Sequence, residues 1–236
     1  MQIILKDLVK KYGDLVAVDV PHLEIPTGQV VGLVGNNGAG KTTLLRLVLD
    51  LVQATKGHVL LGDERVDKTT DWKSHTGSYL DEGFLIDFLN AEEYFSFVGK
   101  AYGLSLQEIE EAESRYAKLF TEEVLGTGKL IRDLSAGNRK KVGLLAALLV
   151  KPAVLVLDEP FANLDPTSQY VLQQILAEMS KETNATIFVS SHDLGHVTDA
   201  CERILLMNQG RIERDELISE QTLKELERFF ARSVAV

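Results

Sequence analysis

Gly35-Asn36-Asn37-Gly38-Ala39-Gly40-Lys41-Thr42 is the stretch on which the reading of this chain turns. Two glycines bracket four residues, Lys-Thr follows, and the apolar run Gln29-Val30-Val31-Gly32-Leu33-Val34 precedes it as a strand. Thr43-Leu44-Leu45-Arg46-Leu47-Val48 continues it as a helix. Small residues let successive backbone N–H groups curl around a phosphate, while Lys41 reaches β and γ oxygens and the Thr42 hydroxyl is placed to ligate magnesium. A glycine-rich turn without a ligand would not need Lys-Thr at the helix start. The stretch predicts a nucleoside triphosphate cradle between a strand and a helix.

Away from that loop, Ile3 to Val9 reads as a strand, Lys10 to Asp14 as a turn, and Leu15 to Ile25 as further extended structure. Lys56 to Gly62 is a strand ended by glycine. From about Glu82 to Lys141 the texture changes: Ala91 to Tyr102 and Leu106 to Phe120 space their apolar residues as helices do, with Gly103 as a stop between them. The acidic run Glu108 to Glu113 reads as a solvated helix face. Ala153-Val154-Leu155-Val156-Leu157 is a continuous apolar run, as in a strand covered on both faces. A helix from about Thr167 to Lys181 and a strand at Ala185 to Ser190 follow, and strand, helix, strand implies a parallel sheet. Arg203 to Met207 and Arg211 to Glu213 flank the turn Asn208-Gln209-Gly210 as a hairpin, and Ser219 to Phe230 reads as a terminal amphipathic helix.

Asp158-Glu159-Pro160 closes the apolar strand. A carboxylate there, beside the phosphate loop, is placed to hold magnesium through water, and a second can orient an attacking water. Asp158 is assigned to the metal and Glu159 to the water. His192, at the end of the neighbouring strand in Ser190-Ser191-His192-Asp193, faces the same crevice, where it can hydrogen-bond a γ-phosphate.

At 236 residues and 45% hydrophobic content the chain can bury an ample core. Its net charge of −10 gives no general affinity for nucleic acid or an anionic membrane surface. The single cysteine, Cys201, forms no internal disulfide, as suits a reducing compartment. The longest apolar segment, Val142 to Val150, is about half of what crosses a bilayer, and the N-terminus carries no charged-then-apolar signal pattern. These features predict a soluble chain that reaches a membrane only through another protein.

Taken together, and over nearly the whole length from about Ile3 to Ile212, the sequence resembles the nucleotide-binding subunit of ATP-binding cassette (ABC) transporters. The resemblance implies that Tyr12 stacks on adenine, that Gly35, Asn36, Asn37, Gly38, Ala39, Gly40, Lys41, Thr42 and Thr43 bind ATP, and that Asp158 and Glu159 are the magnesium aspartate and catalytic glutamate. Leu134-Ser135-Ala136-Gly137-Asn138 stands in the place of the family signature, which acts on the ATP of the opposite subunit. Asn163, Leu164 and Asp165 match the dimer-contact loop, and His192 the switch histidine. Ala136 and Asn138 depart from the usual Leu-Ser-Gly-Gly-Gln, and Ala136 fits if its φ is negative. Tyr79-Leu80-Asp81-Glu82 aligns with a stretch that normally ends in glutamine. Glu82, or Asp81 one residue earlier, would ligate magnesium there with an added negative charge that slows or gates hydrolysis. Of Arg139-Lys140-Lys141, half a solvated face is expected and at most one phosphate-facing contact.

The implied fold is α/β: a phosphate-loop NTPase core with a mostly parallel sheet, an antiparallel N-terminal β subdomain and a helical insert. The expected layout is one ATPase domain over 1–236, with 1–81 and 142–236 as the core and 82–141 as the helical subdomain with the signature. The implied function is ATP hydrolysis with magnesium, by a homo- or heterodimer of such subunits that drives substrate movement through integral membrane permease subunits. The chain would lie on the cytoplasmic face of the membrane and bind no nucleic acid. A soluble ATPase of assembly or remodelling, without a permease, and a subunit that binds ATP with little hydrolysis are the rivals.

Overall fold

The computed structural model describes residues 1–120, 124–219 and 221. In chain order the strands and α-helices are β1 (Ile3–Tyr12), β2 (Leu15–Ile25), β3 (Val30–Val34), α1 (Lys41–Val48), β4 (Lys56–Leu61), β5 (Glu64–Arg65), β6 (Thr76–Tyr79), α2 (Ala91–Ala101) and α3 (Leu106–Arg115). There follow α4 (Ala136–Leu149), β7 (Val154–Leu157), α5 (Pro166–Thr183), β8 (Thr186–Ser191), α6 (Leu194–Thr198), β9 (Arg203–Asn208) and β10 (Arg211–Leu217). The helix expected from Ser219 to Phe230 falls almost wholly outside the described residues.

The apolar runs become the middle of a six-stranded sheet in the order β10-β9-β3-β8-β7-β6, parallel except for β10. β3, β7 and β8 are buried at every position, because helices or a second sheet cover both faces. Side chains alternate between those faces. Val30, Val34, Leu155, Leu157, Ile187 and Val189 join one core with α2, α3, α4 and α5. Val31, Leu33, Val154, Val156 and Phe188 join another with α1 and an antiparallel sheet of order β2-β1-β4-β5. Each such side chain contributes roughly 1.5–3 kcal/mol by leaving water.

The pairings Val34 with Ser191, Leu157 with Val189, and Tyr79 with Leu157 bring the C-terminal ends of β3, β8, β7 and β6 to one edge. The residues that follow these strands therefore meet there. The helices beyond β6 have local start signals in the chain. Asn90 with Glu93 opens α2, and Ser105 with Glu108 opens α3, each side chain bonding the other's backbone N–H. Asp165 and Pro166 open α5.

One expected boundary is not a structural break. The division at 141/142 falls inside α4, whose residues from Val142 to Leu149 are all buried against β6, α2 and α3. The apolar run that follows the lysines continues the same helix into the core, so residues 82–141 share their last turns with it.

Candidate active site

The turn after β3 runs into α1 through Gly40, at φ 107°, a backbone that a β-carbon disfavours. A β-carbon there would also lie 2.5 Å from the Ala17 carbonyl. No side chain caps α1, and its first residues and those of the loop line a cleft of about 710 Å³. Tyr12, Leu15, Val16 and Ala17 line one end of that cleft, Asn36 through Thr43 its floor, and Glu159, Gln209 and Gly210 the remainder. Tyr12 ends β1 half-exposed, with the Lys10 ammonium 4.8 Å from its ring centroid.

Lys41 is buried, yet its ammonium has partners: it donates to the Gly35 carbonyl at 2.6 Å and lies 3.4 Å from Glu159 Oε1. Thr42 Oγ1 donates to Asp158 Oδ2 at 2.6 Å. Ser190 donates its hydroxyl proton to Asp158 Oδ1 and accepts the Glu159 N–H at 2.9 Å. Glu159 Oε2 lies 2.8 Å from His192 Nδ1 and also accepts the His192 N–H at 3.3 Å. An ionised carboxylate only accepts, so the Nδ1 of His192 carries the proton in this contact. Glu159 thus bridges Lys41 and His192 across the cleft mouth.

The hairpin turn between β9 and β10 closes the loop from the other side. The Gly210 N–H donates to the Ala39 carbonyl at 2.8 Å, and the Gly210 carbonyl accepts the Asp19 N–H at 2.8 Å. This clasp was legible only as a hairpin turn, because its target lies far away in the chain.

Of the three metal candidates, Thr42 and Asp158 are joined directly. The chain turns sharply at Glu82–Phe84, where the Asp81 carboxylate accepts the Gly83 N–H at 2.7 Å and stands 3.8 Å from Arg46. The Glu82 charge acts on Lys140, as do those of Glu159 and Asp158, and on the buried Tyr79, whose hydroxyl is pushed up first by burial and then by Glu82. Among the described residues, no group of three or more His, Cys, Asp or Glu side chains could hold a metal ion. The oxygen pair of Thr42 and Asp158 is nonetheless the hard donor set that magnesium prefers. The threonine hydroxyl gives its proton to Asp158, which leaves its lone pairs for an ion.

Ser135, Ala136, Gly137 and Asn138 open α4, away from the residues that line the cleft. Ser135 caps the helix by accepting the Asn138 N–H at 3.3 Å. Ala136 has no positive φ and fits as the first helical residue. A β-carbon at Gly137 would stand 3.1 Å from the Asn163 carbonyl, so the two segments touch there. Asn163 is left-handed at φ 63°, and Leu164 is buried. Asp165 caps α5, accepting from the Ser168 N–H at 2.9 Å and from Lys141 at 3.3 Å. The Ser168 hydroxyl and N–H, then Lys141, hold its carboxyl below the usual carboxylate range.

The basic trio differs from expectation. Lys140 and Lys141 are buried, and Arg139 turns back to the Leu134 carbonyl at 2.8 Å. Two lysines at the head of an apolar helix stay buried only with partners, which here are the Glu159 carbonyl and the Asp165 carboxylate.

Comparison with known proteins agrees with this geometry. The ABC transporter family model matches residues 18–162. The chain belongs to the ABC transporter family, as a nucleotide-binding domain. It is 35% identical over 225 residues to a sulfate/thiosulfate import ATP-binding protein, CysA 2 of Shewanella oneidensis, an alignment spanning 91% of this chain and 61% of that relative. With the bacitracin transport ATP-binding protein BcrA of Enterococcus faecalis it shares 32% identity over 221 residues, 91% of this chain and 69% of the other. The chain thus spans about three fifths of the first relative's length. Among solved structures, the ATP-binding subunit of an ABC transporter superposes with a TM-score of 0.84 at 25% identity, covering 98% of this chain and 94% of that one. The dimeric ABC transporter cassette MJ0796 gives 0.82 at 25% identity, covering 92% and 99%.

Proposed function

We propose that this ABC domain binds ATP in the cleft and hydrolyses it as one of two facing subunits. The carrying observation is the Glu159 carboxylate, held between Lys41 and His192 at the end of a strand whose neighbouring Asp158 joins Thr42. In this reading Tyr12 supports the base, the loop N–H groups from Asn36 to Thr43 take the β-phosphate, and Lys41 leaves Glu159 for the γ-phosphate oxygens. Thr42 and Asp158 would hold magnesium, which would supply positive charge to the phosphate oxygens. Glu159 then accepts a hydrogen bond from the attacking water and aligns it, while His192 is in reach of the γ-phosphate.

Ser135, Gly137 and Asn138 would face the ATP of a second subunit, identical or related, with Asn163, Leu164 and Asp165 at the shared contact. The fold match to a dimeric cassette supports that arrangement. Opening and closing of the pair would move substrate through separate membrane-embedded subunits, on whose cytoplasmic side the domain would sit. Two observations favour this over a remodelling role without a permease. The relatives named above are ATP-binding proteins of transport systems. Phe84, Phe88 and Phe97 are also exposed large apolar side chains around the start of the helical segment, where an apolar partner can cover them. No helix among the described residues is long and apolar enough to cross a membrane.

The test is phosphate release by the purified chain beside Glu159→Gln. Release should fall by at least about 100-fold in the variant with nucleotide affinity kept, the size expected for a lost general base. Equal release from both would remove Glu159 from the chemistry.

A further inference from the structure

Glu159 has its backbone at φ 48°, in the left-handed region that a side-chain-bearing residue avoids. Something must hold it there. Its N–H is taken by Ser190, and its carbonyl accepts the Ala162 N–H at 3.3 Å and the Lys140 ammonium at 2.9 Å.

Lys140 is an expensive residue in that place. It is 5% exposed and makes no ion pair among the described residues. Its ammonium lies 5.8 Å from the Tyr79 ring centroid, and Tyr79 in turn packs flat on α4, where a β-carbon at Gly143 would stand 2.5 Å from the ring. Burial draws the Lys140 ammonium below the usual lysine range, and the carboxylates of Glu82, Glu159 and Asp158 pull it back up. An apolar side chain would fill this space without desolvating a charge, so the lysine is not explained by packing. Among the described residues, its one hydrogen bond goes to the Glu159 peptide.

We infer that Lys140 is a positioning residue for hydrolysis: from inside α4 it fixes the Glu159 peptide in its left-handed turn, and thereby keeps the carboxylate between Lys41 and His192. The inference rests on the reading that Glu159 aligns the water. It goes further in joining that carboxylate to α4, whose first turn carries the signature. Little more than one helical turn separates Ser135, which would meet the second subunit's nucleotide, from the side chain that sets Glu159.

The test uses the full chain with Lys140→Met and Lys140→Gln, measured for steady-state ATP hydrolysis and equilibrium nucleotide binding. Methionine removes the donor and keeps the bulk, whereas glutamine stops one bond short of the carbonyl. Lys140→Met should lower kcat roughly tenfold or more while KM and nucleotide Kd stay within about twofold, and Lys140→Gln should fall by less. An unchanged kcat, or an affinity that falls in step with it, overturns the inference. Should the methionine chain not fold, the glutamine chain decides in the same way: reduced kcat at unchanged Kd supports it, and wild-type kcat overturns it. If the wild-type chain itself releases no phosphate, the catalytic reading has failed separately. The crystal structure of the variant then decides whether Lys140 sets Glu159: departure of Glu159 from the left-handed region supports it, and retention overturns it.

Discussion

The helices α1 and α4 each bring a lysine to Glu159, and they begin differently. α1 follows a left-handed glycine, has no side-chain cap, and begins in the cleft lining. α4 follows Ser135, whose hydroxyl already accepts from the Asn138 N–H. Both place a buried lysine beside Glu159. Lys41 lies in the cleft lining against the carboxylate, and Lys140 lies behind the peptide. A helix start left uncapped sacrifices stability that a phosphate can return. A capped start with its lysines turned inward serves the fold first. The same pair of ingredients, a helix N-terminus and a lysine, is therefore uncapped and in the cleft lining in one place, and in the other is capped by its own serine with the lysine on the Glu159 carbonyl.

The sharpest way to break that contrast is at the residue before each helix body. Gly40→Ala combines the wrong backbone region with a 2.5 Å approach to the Ala17 carbonyl. It should cost about 2–5 kcal/mol in urea denaturation. A stable variant would show that the loop does not need its observed path. Next in size, Lys41→Ala should weaken nucleotide binding about 10- to 100-fold by titration, the range for hydrogen bonds to a charged group. Lys140→Met should leave binding alone.

Smaller effects sharpen the picture of α4 and its contact with α5. Asp165→Ala should remove about 1 kcal/mol as a lost helix cap. Because the folded Asp165 carboxyl is held below its ordinary range, its stabilisation is full above the unfolded value of about pH 4 and is lost as pH falls through the folded value. The gap between wild type and variant should accordingly narrow on acidification. Smallest of all, Ala136→Gly should cost less than about 1 kcal/mol, the helix-interior penalty of glycine lessened at the first position of α4. A larger change would mean that the alanine has a contact of its own.

The parallel sheet and its loop were legible because local signals coincide there: Val30 to Val34, Val154 to Leu157 and Thr186 to Ser191 are short apolar runs, each ending in polar residues. Tyr12, Lys41, Thr42 and Glu159 all reach the cleft lining. Asp158 meets Thr42, and His192 meets Glu159. Ser190 carried no local sign of its double role, since its hydroxyl matters only once β7 and β8 are in register. Lys140 and Lys141 looked like surface residues because charge alone does not reveal which side of a helix is covered. Glu82 was placed by alignment with a family position; its charge acts on Lys140, as do those of Glu159 and Asp158.

The Gly210 clasp carries one last consequence. Ala39 and Asp19 each find their backbone partner in a turn made much later in the chain, so the cradle's final shape waits on synthesis and docking of β9 and β10. A growing polypeptide would carry every glycine of the loop long before that clasp could form. The observed shape of the loop is in this sense a report that both ends of the domain have come together.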